Sequence, residues 1–184
     1  MSPDSPELVP RPPHPLALAL IERLRERSGA LVLEVGAGSG RNTRALTAAG
    51  LVVSALPVKR SCAAALTTHA LLHGTPASIA SQLDAIADAL EPGAPLFATF
   101  ASVRDARYGR GETLEPHVYA VPDGDEAGVA HAYFNDECLR ALLEPRFRIE
   151  SMRETGVDDI AGTWAHQMQP LRGAVHWFVV GVRR

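Results

Sequence analysis

The sequence predicts an α/β domain built on a doubly wound, mostly parallel sheet that ends in an antiparallel hairpin. Three observations carry that expectation. Residues 30–49 pass from an apolar, β-branched run through three alternating glycines into a helix-compatible run. Residues 76–101 repeat the alternation, as helix, Pro-Gly stop and buried strand. Two further strand-like runs, 147–154 and 174–182, close the chain. Strands that alternate with helices call for a parallel sheet covered on both faces.

In chain order, residues 1–15 carry six prolines, with few backbone donors and few apolar side chains, and read as an extended or disordered arm. Residues 16–184 then form one domain. Leu16, Leu20 and Leu24 recur at helical spacing over residues 16–27, and Gly29 stops that helix. Residues 30–35 are a buried strand and residues 41–49 a helix. A second strand spans 51–56.

Residues 57–73 admit two foldings. Either 63–68 is a strand, or the Ala/Leu-rich run 60–72 is a crossover helix, as its propensity suggests. Residues 57–62 are too few for a crossover helix with its loops, which leaves both foldings open on the residues alone. Residues 76–90 form a helix with Ile79, Leu83, Ile86 and Leu90 on one face, Thr75 as its cap and Pro92-Gly93 at its end. A strand at 95–101 leads into a long polar loop, 102–132, of the kind that carries ligand contacts. A helix at 135–143 precedes the final two strands, which pair as a hairpin at the sheet edge.

Composition limits the function classes. A chain of 184 residues, 46% hydrophobic and 21% charged, is an ordinary globular domain able to bury a core. A net charge of -3 gives no reason to expect nucleic acid or an anionic membrane as partner. No charged-then-apolar leader and no apolar run of membrane-spanning length is present. Cys62 and Cys138 make neither a disulfide framework nor a metal pair, which fits a reducing, cytoplasmic setting.

The stretch Leu31-Val-Leu-Glu-Val-Gly-Ala-Gly-Ser-Gly-Arg-Asn-Thr43 carries the chemistry. Glycines let a backbone turn tightly against a ligand, and the following helix offers unpaired N–H groups. With Glu34 two residues ahead of the first glycine, the pattern resembles the first motif of class I S-adenosylmethionine (SAM)-dependent methyltransferases. Leu66-Thr-Thr-His-Ala-Leu-Leu-His73 resembles that family's fourth strand and the loop after it, and this resemblance favours the strand at 63–68. Leu90-Glu-Pro-Gly-Ala-Pro-Leu-Phe resembles its passage into the fifth strand. Tyr108-Gly-Arg-Gly111, His131-Ala-Tyr-Phe134 and His176-Trp-Phe-Val-Val180 look like the small-molecule enzymes of the tellurite-resistance type. The resemblance implies SAM as cofactor, a small-molecule methyl acceptor, and a cofactor site at Glu34, Gly36, Ala37, Gly38, Gly40, Asn42, Thr68 and His69.

One departure weighs against a conventional SAM site. The second strand of such folds usually ends in an acid that grips the ribose, and here that position is Pro57. No Asp or Glu occurs from Val35 to Leu83, and the family's third strand with its own acid has no counterpart. Two other readings therefore stand beside the enzyme. One is a catalytically degenerate binding or regulatory subunit. The other is an α/β enzyme for a different, phosphorylated ligand, which Arg41, Arg44, Lys59 and Arg60 would suit. A homodimer lending residues across its interface is a further way to complete a truncated site.

Methyl transfer needs two reactants held in line and kept dry, and a base only for some acceptors. His69, His131 and Tyr108 are the candidate catalytic groups. His73, Arg110, Trp164 and His166 are candidates for the substrate, with Arg110 between two glycines able to clamp an anion. Tyr133 and Trp164 are candidates for the pocket wall, and Trp177 for the core. His69 and His73 would share a helix face, but no Cys or carboxylate nearby in sequence completes a set, so no metal is expected.

Overall fold

Side chains alternate along the central strands and feed two cores, one on each face of the sheet. The computed structural model describes residues 11–122, 126–163 and 172–184. Its parallel strands β1 (Leu31–Val35), β2 (Val52–Ser54), β3 (Ala64–Thr67) and β4 (Pro95–Ser102) lie in the order β2-β1-β3-β4. Val32, Ala64, Leu66 and Phe97 pack against helices α1 (Pro15–Arg23) and α2 (Arg41–Ala48). Leu33, Ala65, Leu96 and Ala98 pack against α3 (Pro76–Ala89) and α4 (Asp136–Leu143). Each buried Leu or Ile in these layers stabilises the fold by roughly 1.5–3 kcal/mol.

Local chemistry sets the helix ends. Thr75 Oγ1 accepts from the Ser78 N–H while Ser78 Oγ accepts from the Thr75 N–H, a reciprocal cap for α3. Asn135 Oδ1 accepts from the Cys138 N–H and starts α4. Ile79, Leu83 and Ile86 form the buried face of α3, as their spacing predicts.

The stretch 57–73 takes the strand reading, not the helical one. Residues Ala64–Thr67 are wholly buried between β1 and β4, so tertiary pairing overrides the helix propensity of alanine. No helix joins β2 to β3 among the described residues, and residues 55–63 make the return alone. Such a span reaches about 30 Å when extended, ample beside a strand of three residues.

The long polar loop proves more regular than expected. It contains β5 (Glu112–Glu115) and β6 (Val118–Ala120), which pair antiparallel and extend onto β7 (Ala130–Phe134). Strands of three or four residues, exposed throughout in β5 and only partly buried in β6, leave too few alternations to be read as strands. The end of β7 pairs parallel with the end of β4, through Ala101↔Tyr133 and Ser102↔Phe134. The closing hairpin forms as expected: β9 (Val175–Arg183) runs antiparallel to β4 on one side and to β8 (Phe147–Gly156) on the other.

Residues 1–10 of the proline-rich arm lie outside the described residues. At its inner end His14 is fully buried, and its ring Nδ1 accepts from the Leu16 N–H to cap α1. No helix among the described residues is long and apolar enough to cross a membrane.

Candidate functional site

The carboxyl ends of β1, β3 and β4 and the start of β9 converge on one side of the sheet, where open α/β sheets bind ligands. A cavity of ≈ 240 Å³ lies there, lined by Gly36, Gly38, Thr68, His69, His73, Arg107, Glu126, His131, Tyr133 and His176, among others. The glycine bend forms one wall. Gly36 has φ +77, and a Cβ on it would sit 2.6 Å from the Ala70 Cβ, so only glycine allows the two loops to touch. A Cβ on Gly38 would meet nothing nearer than the Gly36 carbonyl oxygen at 4.0 Å, which leaves room for a ligand against the backbone.

Behind the bend, polar groups tie β1, α2 and β3 together. Glu34 is buried at the end of β1, and its Oε2 accepts from Thr43 Oγ1 at 2.5 Å. Its Oε1 is buried with no hydrogen-bond partner among the described residues. Arg41 is buried close enough for its charge and that of Glu34 to interact. Asn42 Nδ2 donates to Thr68 Oγ1 at 3.1 Å, and Asn42 Oδ1 accepts from the His14 N–H at 2.8 Å.

His69 and His176 line the cavity, and His14 packs behind them in the same row. The His69 ring packs edge-on against His14, with centroids 5.8 Å apart, and against His176 at 4.9 Å. Burial pushes His14 down to about 3, helped by the positive field of Arg41. Burial likewise pushes His176 down to about 4 and holds His69 well below its ordinary value. All three are therefore neutral near pH 7. His69 adopts φ 60, with its N–H donated to Thr99 Oγ1 at 2.9 Å; a non-glycine residue in this region stores strain.

Asp105 and Arg107 stand beside this row. Arg107 Nε and Nη2 donate to the two Asp105 oxygens at 2.9 and 3.0 Å, and Asp105 Oδ2 also accepts from the Val175 N–H at 3.0 Å. Burial opposes ionisation of Asp105, but the hydrogen bonds and charge of Arg107 outweigh it and keep the carboxyl below its usual range.

A second polar group lies on the β7 side. His73 Nε2 and His131 Nε2 each stand 3.2 Å from an oxygen of Glu126, and the close contact with His131, then that with His73, depresses the carboxyl strongly. Tyr133 is pushed up to about 12, mainly by burial, and stays a neutral phenol.

Of the residues the sequence singled out, Gly36, Gly38, Thr68, His69, His73 and His131 come together on the cavity wall. Ala37 and Gly40 sit in the same bend, while the Asn42 side chain is committed to His14 and Thr68. Tyr108 and Arg110 are not among the lining residues: Tyr108 Oη pairs with His117 Nδ1 at 2.7 Å, and Arg110 is exposed. Trp164 and His166 lie outside the described residues. Trp177 is core, with its indole N–H donated to the Phe134 carbonyl at 2.8 Å.

Asp105, Arg107 and Glu126 were not foreseen. Arg107 stands three residues before the glycine-flanked Arg110 that drew notice instead, and nothing in the spacing of Glu126 points to His73, 53 residues away.

No family model matches the chain, and no curated protein sequence matches it significantly. Solved structures do. A Methanosarcina mazei SAM-dependent methyltransferase superposes with a TM-score of 0.67 at 15% identity, over 88% of this chain and 96% of that one. The Burkholderia thailandensis 1,6-didemethyltoxoflavin N1-methyltransferase, solved with its substrate and S-adenosylhomocysteine, gives 0.66 at 18% identity, over 92% and 76%. Magnesium protoporphyrin IX methyltransferase from Synechocystis, with bound SAM, gives 0.57 at 12% identity, over 91% and 78%. At these identities the likeness establishes the fold: an α/β, methyltransferase-like domain with a mixed, mostly parallel sheet.

Proposed function

We propose that the chain is a SAM-dependent methyltransferase acting on a small molecule, with donor and acceptor meeting in the cavity between the glycine bend and β7. The observation that supports this reading most is the shared wall. Gly36 and Gly38 line the same cavity as Thr68, His69, His131 and Tyr133, so a ligand lying on the bend faces polar groups from two other elements, the end of β3 and β7.

Two features fit the cofactor. The backbone at Gly38 is open to a ligand, and Glu34 Oε1 is a buried acceptor without a protein donor among the described residues, beside the bend. SAM would supply a methyl group on an electrophilic sulfonium. Gly36, Ala37, Gly38 and Gly40 would hold its methionine end through main-chain groups, with Thr68 and His69 closing the other side. Asn42 acts as a positioning residue, because it braces Thr68 rather than facing the cavity. No carboxylate follows β2, where the chain reads Ser54-Ala-Leu-Pro57, so the ribose would be held without the usual acid.

His73, His131 and Tyr133 would receive the acceptor. His69 is a poor general base, since burial disfavours its protonated form. Its use is to orient and to exclude water. A second reading, a non-catalytic copy of the fold that binds a ligand or partner, is favoured by the absence of any acid between Val35 and Leu83.

Calorimetry on the full chain with SAM and with S-adenosylhomocysteine tests the proposal. Binding tighter than about millimolar, at roughly 4 kcal/mol or more, abolished by Gly38→Arg, supports it. Failure of the folded wild type to bind either compound favours the second reading.

A further inference from the structure

The cavity contains a constellation that methyl transfer does not require. His73 and His131 face each other across an antiparallel bridge, fixed by Ala132 N–H to the Leu72 carbonyl and Gly74 N–H to the Ala130 carbonyl, both at 2.8 Å. Their rings pack edge to face with centroids 4.8 Å apart. Glu126 arrives from the turn between β6 and β7, which is closed by Gly128 N–H to the Val121 carbonyl at 2.8 Å and Val129 N–H to the Glu126 carbonyl at 2.9 Å. Backbone hydrogen bonds thus place all three side chains.

The hydrogen-bond inventory of His131 is the informative part. Its Nδ1 stands 3.1 Å from the Val129 carbonyl oxygen, which can only accept, so Nδ1 carries a proton. In the neutral ring Nε2 then presents a lone pair, and it points at a carboxylate oxygen of Glu126 3.2 Å away. Two lone pairs at that distance repel. Something electropositive belongs between them: a second proton on the ring or a cation.

We infer that His73, Glu126 and His131 form a binding site for a divalent first-row transition-metal ion on the cavity wall. Two imidazoles and one carboxylate are the donor set of open zinc and iron(II) sites, which leave positions for water or a ligand oxygen. Donors about 2.0–2.1 Å from a tetrahedral ion lie roughly 3.3 Å from one another. His73 Nε2 stands 3.2 Å from Glu126 Oε1 and His131 Nε2 stands 3.2 Å from Oε2, so each imidazole lies at donor spacing from one carboxylate oxygen, and one donor atom from each of the three residues falls within 4.8 Å of the others. A Nδ1–H held by a main-chain carbonyl is also the usual outer support of a metal-binding imidazole. His131 is 8% exposed, whereas Glu126 and His73 are 32% and 39% exposed, so the remaining coordination positions open toward the cavity. The site stands whether or not the cavity also takes SAM.

The test uses the full chain stripped with a chelator and titrated with Co2+, then with Zn2+. The expected result is one ion per chain, visible d–d bands of a low-coordinate nitrogen–oxygen site displaced by Zn2+, and a raised melting temperature with Zn2+. His131→Ala and Glu126→Ala should each weaken Zn2+ at least about 10–100-fold. Circular dichroism identifies any variant that fails to fold, and His73→Gln, at the most exposed ligand, then serves in its place. His117→Asn, a histidine outside the cluster, should bind as the wild type does. Absence of stoichiometric Co2+ and Zn2+ binding by the folded wild type overturns the proposal in favour of an imidazolium–carboxylate pair. Undiminished binding in the cluster variants overturns the assignment of the site.

Discussion

Asn42 bridges His14 and Thr68: its amide oxygen takes the His14 main-chain N–H, and its amide nitrogen gives a proton to the Thr68 hydroxyl. All three residues are buried, so the inner end of the arm, helix α2 and the end of β3 share one side chain. Asn42→Ala should therefore cost about 2 kcal/mol, the penalty of leaving a buried donor unsatisfied. It should also speed proteolytic cleavage around residues 11–14. Urea denaturation and a timed digest read both effects. A variant as stable and as resistant as the wild type would show that the seam carries no energy.

Acid should weaken the fold before the carboxylates protonate. His14 and His176 are held at about 3 and about 4 by burial, while an unfolded histidine titrates near 6.5. Between those values the unfolded chain binds more protons, so stability is complete above pH 6.5 and falls as pH drops toward 4. Each group contributes up to about 1.4 kcal/mol per pH unit. His14→Asn keeps an acceptor at the α1 cap and removes one titration, so from pH 7 to 5 it should lose about 2 kcal/mol less than the wild type. Equal losses would place His14 in contact with water.

Gly36 and Gly38 look alike in sequence and should respond differently to alanine. Both have positive φ, which costs an L-residue roughly 1–2 kcal/mol. Only at Gly36 does the new methyl collide, 2.6 Å from the Ala70 Cβ. Gly38→Ala should stay within that conformational cost, whereas Gly36→Ala should lose clearly more as the bend is driven off the loop after β3. Thermal melts of the two variants compare them directly, and equal losses would contradict the close approach.

Asp105 is wholly buried, holds Arg107 in a two-point grip and accepts the first N–H of β9. Asp105→Ala should cost about 3–5 kcal/mol, because it strands a guanidinium and frees the start of the strand. Arg107→Ala leaves the carboxylate buried beside neutral histidines and should raise its titration, so the variant should lose stability at neutral pH and regain part of it relative to the wild type as the pH falls. Denaturation at several pH values would separate the two. A loss below about 1 kcal/mol in Asp105→Ala would mean that the pair behaves as a surface ion pair.

The elements around the bend were legible because the β1-glycine-α2 unit, the face of α3 and the apolar content of the last strands each announce themselves within a dozen residues. Gly36, Gly38, Thr68 and His69, which the family resemblance assigned to one cofactor site, do line one cavity. The short strands β5 and β6 were not legible, since three or four residues, all exposed in β5, carry no usable period. Residues 57–73 stood between helix and strand because alanine and leucine favour a helix wherever no neighbouring strand competes.

By itself, then, the amino-acid order determined the class of fold, the glycine bend and the absence of a carboxylate after the second strand, since these depend on residue type and near spacing. Tertiary structure alone decided that Ala64–Thr67 pairs with β1 and β4, and that Glu126 meets His73 and His131. The physical reason is common to both: a contact between residues far apart in the chain is chosen by burial and by backbone pairing across the sheet, and neither leaves a period or a motif in the local sequence.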